Sequence, residues 1–273
     1  MAFQEILGNF PKKTMARNLF TKTLFISVFT LSLIVFNSCK SPSFVNTEAQ
    51  TQYISIDHTI YENTEIDSFL SPFRQHIEAD LSKTLCYNPE NLNKTDAKWQ
   101  NPMTNLFADV VLEIGNSVFE KRTGKSIDFC LLNYGGIRAN IAKGDISTRT
   151  AFEIMPFENF AVVLKIDGAT VYKIAEFILK NQTAHPLSNM EITAKKDDFK
   201  IKQLKIGGNL VDKNKEYYVI TNDYLAKGGD HMDFFFDATE THSLDYKLRN
   251  MFIAYFSKTD TLTPSTKERI IFE

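Results

Sequence analysis

The chain has 273 residues, of which 43% are hydrophobic and 23% charged, with 23 Phe and 10 Tyr, so it can bury the core of one large domain or two small ones. The formal charge is −2. Residues 1–38 hold four bases and one acid, and without them the charge is −5, which argues against partners held by neutralising nucleic-acid phosphates or an anionic membrane surface.

The first recognisable element is a targeting segment. Leu24–Phe36 is an uncharged apolar run preceded by Lys12, Lys13, Arg17 and Lys22, and it is short for a membrane span. It ends at Asn37-Ser38-Cys39-Lys40. Small residues before a Cys resemble a bacterial lipoprotein cleavage site, although Phe36 stands where Leu is usual. The expectation is a signal peptide over 1–38, lipidation of Cys39, a polar tether over 39–52 and a cell-envelope, membrane-anchored protein on the periplasmic or surface side. An ordinary secretory signal or a short anchor is the alternative, and translation starting at Met15 is a second reading of the leader. The other two cysteines are Cys86, unassigned, and Cys130, in an apolar run. So few do not make a disulfide framework.

The body, 53–273, begins with Tyr53–Asp57, which alternates like an edge strand. Ile66, Phe69, Leu70, Phe73, Ile77 and Leu81 recur at helical spacing within 63–85, with Pro72 expected to kink or split that helix. Residues 88–99 read as loop. Asn101 is a good N-cap and Pro102 suits a first helical turn. Leu106, Val110, Ile114 and Val118 then form a stripe, and Gly124 supplies a stop.

Ile127–Leu132 is a buried strand running into Asn133-Tyr134-Gly135-Gly136-Ile137-Arg138. The glycines allow positive φ or close approach, and polar groups at the end of a buried strand are where α/β proteins place ligands. Alone, this stretch reads first as a hairpin with a surface Arg. Lys143–Ile146 reads as a turn, Ser147–Met155 as a short helix, and Pro156-Phe157-Glu158-Asn159 as its break. Phe160–Ile166 is a strand, Asp167-Gly168 a turn, Ala169–Leu179 a helix, and Met190–Ala194 and Phe199–Ile206 are strands. Tyr217–Thr221 is a buried strand that enters a second Gly-Gly turn, Tyr224-Leu225-Ala226-Lys227-Gly228-Gly229-Asp230. Ser243–Phe256 reads as an amphipathic helix and the tail as charged. Mixed strands and helices of this kind suggest an α+β domain of layered, mixed β-sheets.

The two glycine turns and Pro156-Phe157, in this order, resemble the C-terminal, substrate-binding domain of the 5′-nucleotidase / UDP-sugar hydrolase family. The likeness spans about residues 50–270. It rests on N-x-G-G-I-R at 133–138, G-D-I at 144–146, P-F at 156–157, [FY]-L-A-x-G-G-D at 224–230, and N-L-x-A-D at Asn105–Asp109. The resemblance implies that Phe157 and Tyr224 sandwich a nucleobase and that Asp230 accepts hydrogen bonds from ribose hydroxyls. It also implies that Arg138 meets a phosphate and that Asn133 is a polar contact, with Gly135 and Gly136 forming the turn. Many members carry a second phosphate-binding Arg before the N-L-x-A-D helix. Here Ala97-Lys98-Trp99-Gln100 stands there, with Lys98 as the substitute charge, and Tyr134 occupies a frequent Gly position and is expected to narrow the pocket.

Longer members also carry a metallophosphoesterase domain with two metal ions, whose clustered Asp, His and Asn ligands clamp the attacking and leaving oxygens. The five histidines, His58, His76, His185, His231 and His242, are scattered, and His231 with Asp233 offers only two side chains. The expectation is therefore no catalytic residue and no cofactor in this chain. A nucleotide or nucleoside would be the ligand, with divalent metals in a separately encoded metallophosphatase. The alternative is a surface lipoprotein that captures nucleotides or nucleosides without catalysis.

Overall fold

The computed structural model describes residues 22–24, 26–27, 51–57, 59–61 and 63–273. The chain divides into two units, Met1–Glu62 and Asn63–Glu273. In the first, residues 22–24 and 26–27 are helical. Cys39 and most of the expected leader and tether lie outside the described residues. Tyr53–Asp57 is irregular and exposed, not an edge strand, because among the described residues no strand pairs with it and alternation alone supplies no ladder bonds.

The second unit opens with helix α1, Thr64–Leu81, capped by Asn63, whose side chain accepts from the amides of Glu65 and Ile66. Pro72 does not split it. Its apolar stripe, Ile66, Phe69, Leu70, Phe73 and Ile77, is exposed. Strand β1, Thr84–Asn88, follows directly, so the residues read as the end of that helix are extended. Helix α2, Pro102–Thr123, has the expected ends. Asn101 and Thr104 cap each other reciprocally, and Gly124 closes it at φ 70°.

Strand β2, Phe129–Leu131, is short and wholly buried. Gly144–Ser147 is strand β3, not a turn: it pairs antiparallel with β1, which satisfies backbone groups that local sequence alone leaves open. Helix α3, Thr148–Ile154, and strand β4, Phe160–Asp167, flank the break at 156–159. Asp167 caps helix α4, Gly168–Asn181, through Thr170 N–H at 2.7 Å, so the turn read at 167–168 is a helix start. Short strand β5, Leu187–Ser188, precedes β6, Met190–Ala194, β7, Ile201–Ile206, and β8, Asn209–Leu210. Strand β9, Glu216–Asn222, runs into a single helical turn α5, Asp223–Ala226.

The largest misreading lies at 243–256. Residues Glu240–Lys247 are strand β10, and only Leu248–Phe256 is helix α6. Leu244 and Leu248 happen to stand four apart, but β10 is held extended by antiparallel pairing with β4. The charged tail likewise ends in a strand, β11, Ile270–Phe272, parallel to β6.

The strands form an α+β arrangement: a five-stranded sheet in the order β10-β4-β9-β2-β5, a four-stranded sheet β11-β6-β7-β8, and the β1–β3 ribbon. Side chains alternate across the central sheet. Cys130, Val163 and Ile220 join the core under α2 and α6, with Phe107, Val110, Val111, Met251 and Phe252. Phe129, Leu131, Leu164 and Val219 join the opposite core with Val171, Ile174 and Ile178 of α4 and Ile192 and Leu204 of the second sheet. Burial on both faces explains why β2 and β9 read as unbroken apolar runs.

Gly168 sits where α4 begins against the chain at 212–213. A Cβ there would lie 2.0 Å from the Asp212 carbonyl oxygen and 2.8 Å from Lys213 Cα. Gly168→Ala is expected to destabilise the domain by about 1–3 kcal/mol through overpacking. Urea unfolding measures this, and an unchanged midpoint would show that the backbone yields there freely.

Candidate functional site

Strand direction gathers the site. β2 runs parallel to β9, with Cys130 opposite Ile220, and β4 runs antiparallel to β9, with Ala161 opposite Asn222. The C-terminal ends of β2 and β9 and the N-terminal end of β4 therefore lie at one end of the sheet. Three connections emerge there: 133–138, 224–230 and 156–159. They line a cleft of about 320 Å³ bounded by Asn133, Gly135, Gly136, Arg138, Phe157, Asn159, Tyr224 and Asp230. All seven body residues singled out in the sequence meet in it. Asn159 was not among them, and its only sequence signal is its place two residues after Phe157.

The glycines work by close approach. Gly135 and Gly136 do not take positive φ. A Cβ on Gly136 would stand 3.0 Å from Asn133 Oδ1. A Cβ on Gly229 would enter the Tyr224 ring, 2.5 Å from its nearest atom, so the ring rests on bare backbone. Asp230 and His231 follow at φ 52° and 62°. Left-handed backbone costs on the order of 1–3 kcal/mol per non-glycine residue, and here it is offset by hydrogen bonds.

Those bonds centre on Asp230. Asn133 Nδ2 donates to Oδ2 at 2.7 Å, and the Tyr224 hydroxyl donates to Oδ1 at 2.8 Å. Asp230 N–H donates back to the Tyr224 oxygen at 3.2 Å. The bond to the carboxylate raises the Tyr224 phenol above its ordinary pKa. Each carboxylate oxygen keeps a further lone pair for a ligand. Arg138 stands across the cleft, its guanidinium carbon 5.6 Å from the Phe157 ring centroid and Nη1 3.5 Å from the Gly135 carbonyl. Among the described residues no carboxylate pairs with it. Phe157 and Tyr224 are 39% and 47% exposed, large aromatic faces turned toward solvent beside a carboxylate and a guanidinium. That combination can stack a flat ring and hold polar groups of both signs.

Two expectations about neighbours are corrected. Lys98 does not reach the cleft: its Nζ donates to Gln182 Oε1 at 2.5 Å, and the side chain lines a separate hollow of about 350 Å³ beside Trp99. The lysine at the turn is Lys94, whose Nζ donates to the Ile137 carbonyl at 2.7 Å. Its ammonium pKa is lowered by burial and by the charge of Arg138. Lys94 lies in a loop without periodicity, so nothing in the sequence marked it. Tyr134 does not line the cleft either. Its ring lies under Lys94 Nζ at 4.2 Å.

His185 supports the same turn from below. It is buried, and Nδ1 accepts from Tyr134 N–H at 3.3 Å. Burial pushes its pKa down to about 4, against the opposing pull of the Asp230 charge.

Comparison with known proteins gives the family and the fold. The family described as "5′-nucleotidase, C-terminal domain" matches residues 82–237. "Protein UshA" of Escherichia coli is 33% identical over 175 residues, 63% of this chain and 30% of that protein. "Cell wall protein Lmo0130" of Listeria monocytogenes is 23% identical over 207 residues, 68% of this chain and 26% of that protein. The solved structure of a 5′-nucleotidase precursor from Thermus thermophilus superposes with a TM-score of 0.63 at 19% identity, covering 77% of this chain and 43% of that one. The chain thus matches less than half the length of each.

The lowered pKa of His185 sets a pH dependence. In the unfolded chain the imidazole titrates near 6.5 and in the folded one near 4, so unfolding takes up a proton between those values. Its contribution to stability is fully present above pH 6.5 and is lost as pH falls toward 4, roughly 3 kcal/mol in all. His185→Asn keeps an acceptor for Tyr134 without the titration, so its unfolding free energy should fall less over that window. Equal slopes for the two proteins would show that His185 is not the group responsible.

Proposed function

Because the chain belongs to the 5′-nucleotidase C-terminal-domain family, we propose that it is the nucleotide-binding half of a phosphoric ester hydrolase that works in nucleotide catabolism. One observation supports this above the rest. Two exposed aromatics, a guanidinium with no carboxylate partner among the described residues, and a hydrogen-bonded carboxylate, from three distant segments, line one cleft. In this reading a nucleobase stacks between Phe157 and Tyr224. Ribose hydroxyls donate to the free lone pairs of Asp230, whose position Asn133 and Tyr224 fix. The planar fork of Arg138 meets the phosphate. The bare backbone at Gly135 and Gly136 lets the nucleoside approach, and Asn133 supplies a polar contact to it.

These residues bind and orient, and we assign none of them a chemical step. The attacking water and the divalent metals are proposed to come from a separately encoded metallophosphoesterase that docks on the nucleotide so held. Cys39 is proposed as the lipid anchor that keeps the chain at the cell envelope. The "cell wall" name of the Listeria relative supports an envelope setting in general terms.

Calorimetric titration of AMP and adenosine into the purified chain tests the reading. Phe157→Ala should weaken both ligands by the roughly 1–3 kcal/mol that a base–aromatic stack contributes. Asp230→Ala should weaken both as well, whereas Arg138→Ala should weaken AMP and spare adenosine. Hydrolysis of AMP should require an added phosphatase even when divalent metal is present. Binding indifferent to all three substitutions would remove the site, and turnover by the chain alone would place the chemistry here.

A further inference from the structure

Phe157 stands in the break between α3 and β4, where no regular ladder fixes the backbone. The polar ties around it are specific. Arg249, at the start of α6, is buried, and its Nη1 donates to the Pro156 carbonyl at 3.2 Å. Its Nη2 pairs with Glu158, and Lys247 pairs with the other oxygen of the same carboxylate. One guanidinium therefore grips the residue before Phe157 and the residue after it. The Leu248 amide adds a bond to the Asn159 carbonyl at 3.0 Å, and the guanidinium carbon lies 4.1 Å from the Phe152 ring centroid.

The opposite aromatic is tied to the same segment. Phe160 N–H donates to Asp223 Oδ1 at 3.1 Å, and Asp223 opens the turn α5 that carries Tyr224. The two walls of the cleft are thus joined through polar groups that line no part of it.

Stability alone is a poor reason for this arrangement. The Arg249 guanidinium is buried, but the Glu158 side chain is 59% exposed, and an ion pair open to solvent at one end contributes little to stability. Here, too, Arg249 Nε is buried without a partner among the described residues. What the pair supplies is direction. Charge-assisted bonds to residues on both sides of Phe157 restrain the segment that carries its ring.

We infer that Glu158 is a positioning residue: held by Arg249 and Lys247, it sets the stance of Phe157 opposite Tyr224 and so controls affinity for the base without touching the ligand. This rests on the nucleotide-binding reading above and adds to it a dependence of base recognition on an ion pair outside the cleft.

The test is a double-mutant cycle with two ligands. AMP and ribose 5-phosphate, which lacks the base, are titrated into wild type, Glu158→Gln, Phe157→Ala and the double variant, with thermal melts recorded for each. Glu158→Gln is expected to weaken AMP on the order of tenfold, as coupled neighbours do, and to leave ribose 5-phosphate unchanged. In the Phe157→Ala background it should have no further effect, because its action passes through that ring. Should Glu158→Gln fail to fold, Lys247→Ala, which leaves the Arg249 pair in place, should show the same selectivity at smaller size. Equal losses for both ligands, additive losses in the double variant, or unchanged AMP affinity in a folded variant would overturn the inference. A wild type that binds no AMP would overturn the nucleotide reading along with it, whereas wild-type binding with an indifferent Glu158→Gln would overturn this inference alone.

Discussion

The parallel pairing of β2 with β9 is the constraint on which the cleft depends. Parallel neighbours finish at the same end of a sheet, so the chain leaving Leu131 and the chain leaving Asn222 emerge together although they are some 90 residues apart in sequence. β4, antiparallel to β9, begins where they end and brings Phe157 with it. Reversing any one of these directions would send its connection to the far end of the sheet. Buried apolar side chains on both faces of the three strands hold the directions in place, and they lie in both hydrophobic cores. The site is thus a consequence of core packing, and its polar residues need only survive at the rim.

At that rim the charges are kept apart by local chemistry. Asp230 is engaged by Asn133 and Tyr224 on one wall, while Arg138 lies over Phe157 on the other. Had the carboxylate and the guanidinium met, they would have closed the cleft with an ion pair that a ligand must break. Asp230 takes a left-handed backbone in the turn that rests Tyr224 on Gly229, and that turn carries its hydrogen bonds. The hydroxyl that distinguishes Tyr224 from a phenylalanine is bonded to Asp230, so one side chain both presents a flat face and braces the carboxylate beside it.

Most of this was legible where the signal is local. The caps at Asn101 and Gly124, the buried runs of β2, β4 and β9, and the residues of the glycine turns are written in short stretches of sequence, and the structure has them in place. The strands that the sequence did not show share one cause. β3 at 144–147, β10 at 240–247 and β11 at 270–272 are strands because a distant partner pairs with them, and no local period records a partner. Tyr53–Asp57 shows the converse, a local alternation without a partner and hence without a strand. Lys94 lies at the turn and Lys98 does not, although Lys98 is nearer in sequence to the Asn105–Asp109 motif: proximity in sequence is not proximity in space. Glu158 and Arg249, likewise, become meaningful only once α6 is seen beside the Phe157 segment.

The strength of such a cleft is bounded by its parts. Two stacking contacts of roughly 1–3 kcal/mol each and a few charge-assisted hydrogen bonds of roughly 1.5–3 kcal/mol must exceed an association cost of about 4–15 kcal/mol. The margin between these ranges is small, which points to weak binding rather than tight. For a domain whose proposed work is to present a nucleotide to chemistry supplied from elsewhere, that weakness is useful. Binding a substrate and its transition state equally tightly does not raise kcat, whereas holding the ester in a fixed pose for attack does. A cleft whose walls are tied to each other through Asp223, and to α6 through Glu158, has its aromatic faces set before a ligand arrives, so less ordering has to be done on binding. On this argument the rigid placement of Phe157 and Tyr224 matters more to the function than the depth of the pocket between them.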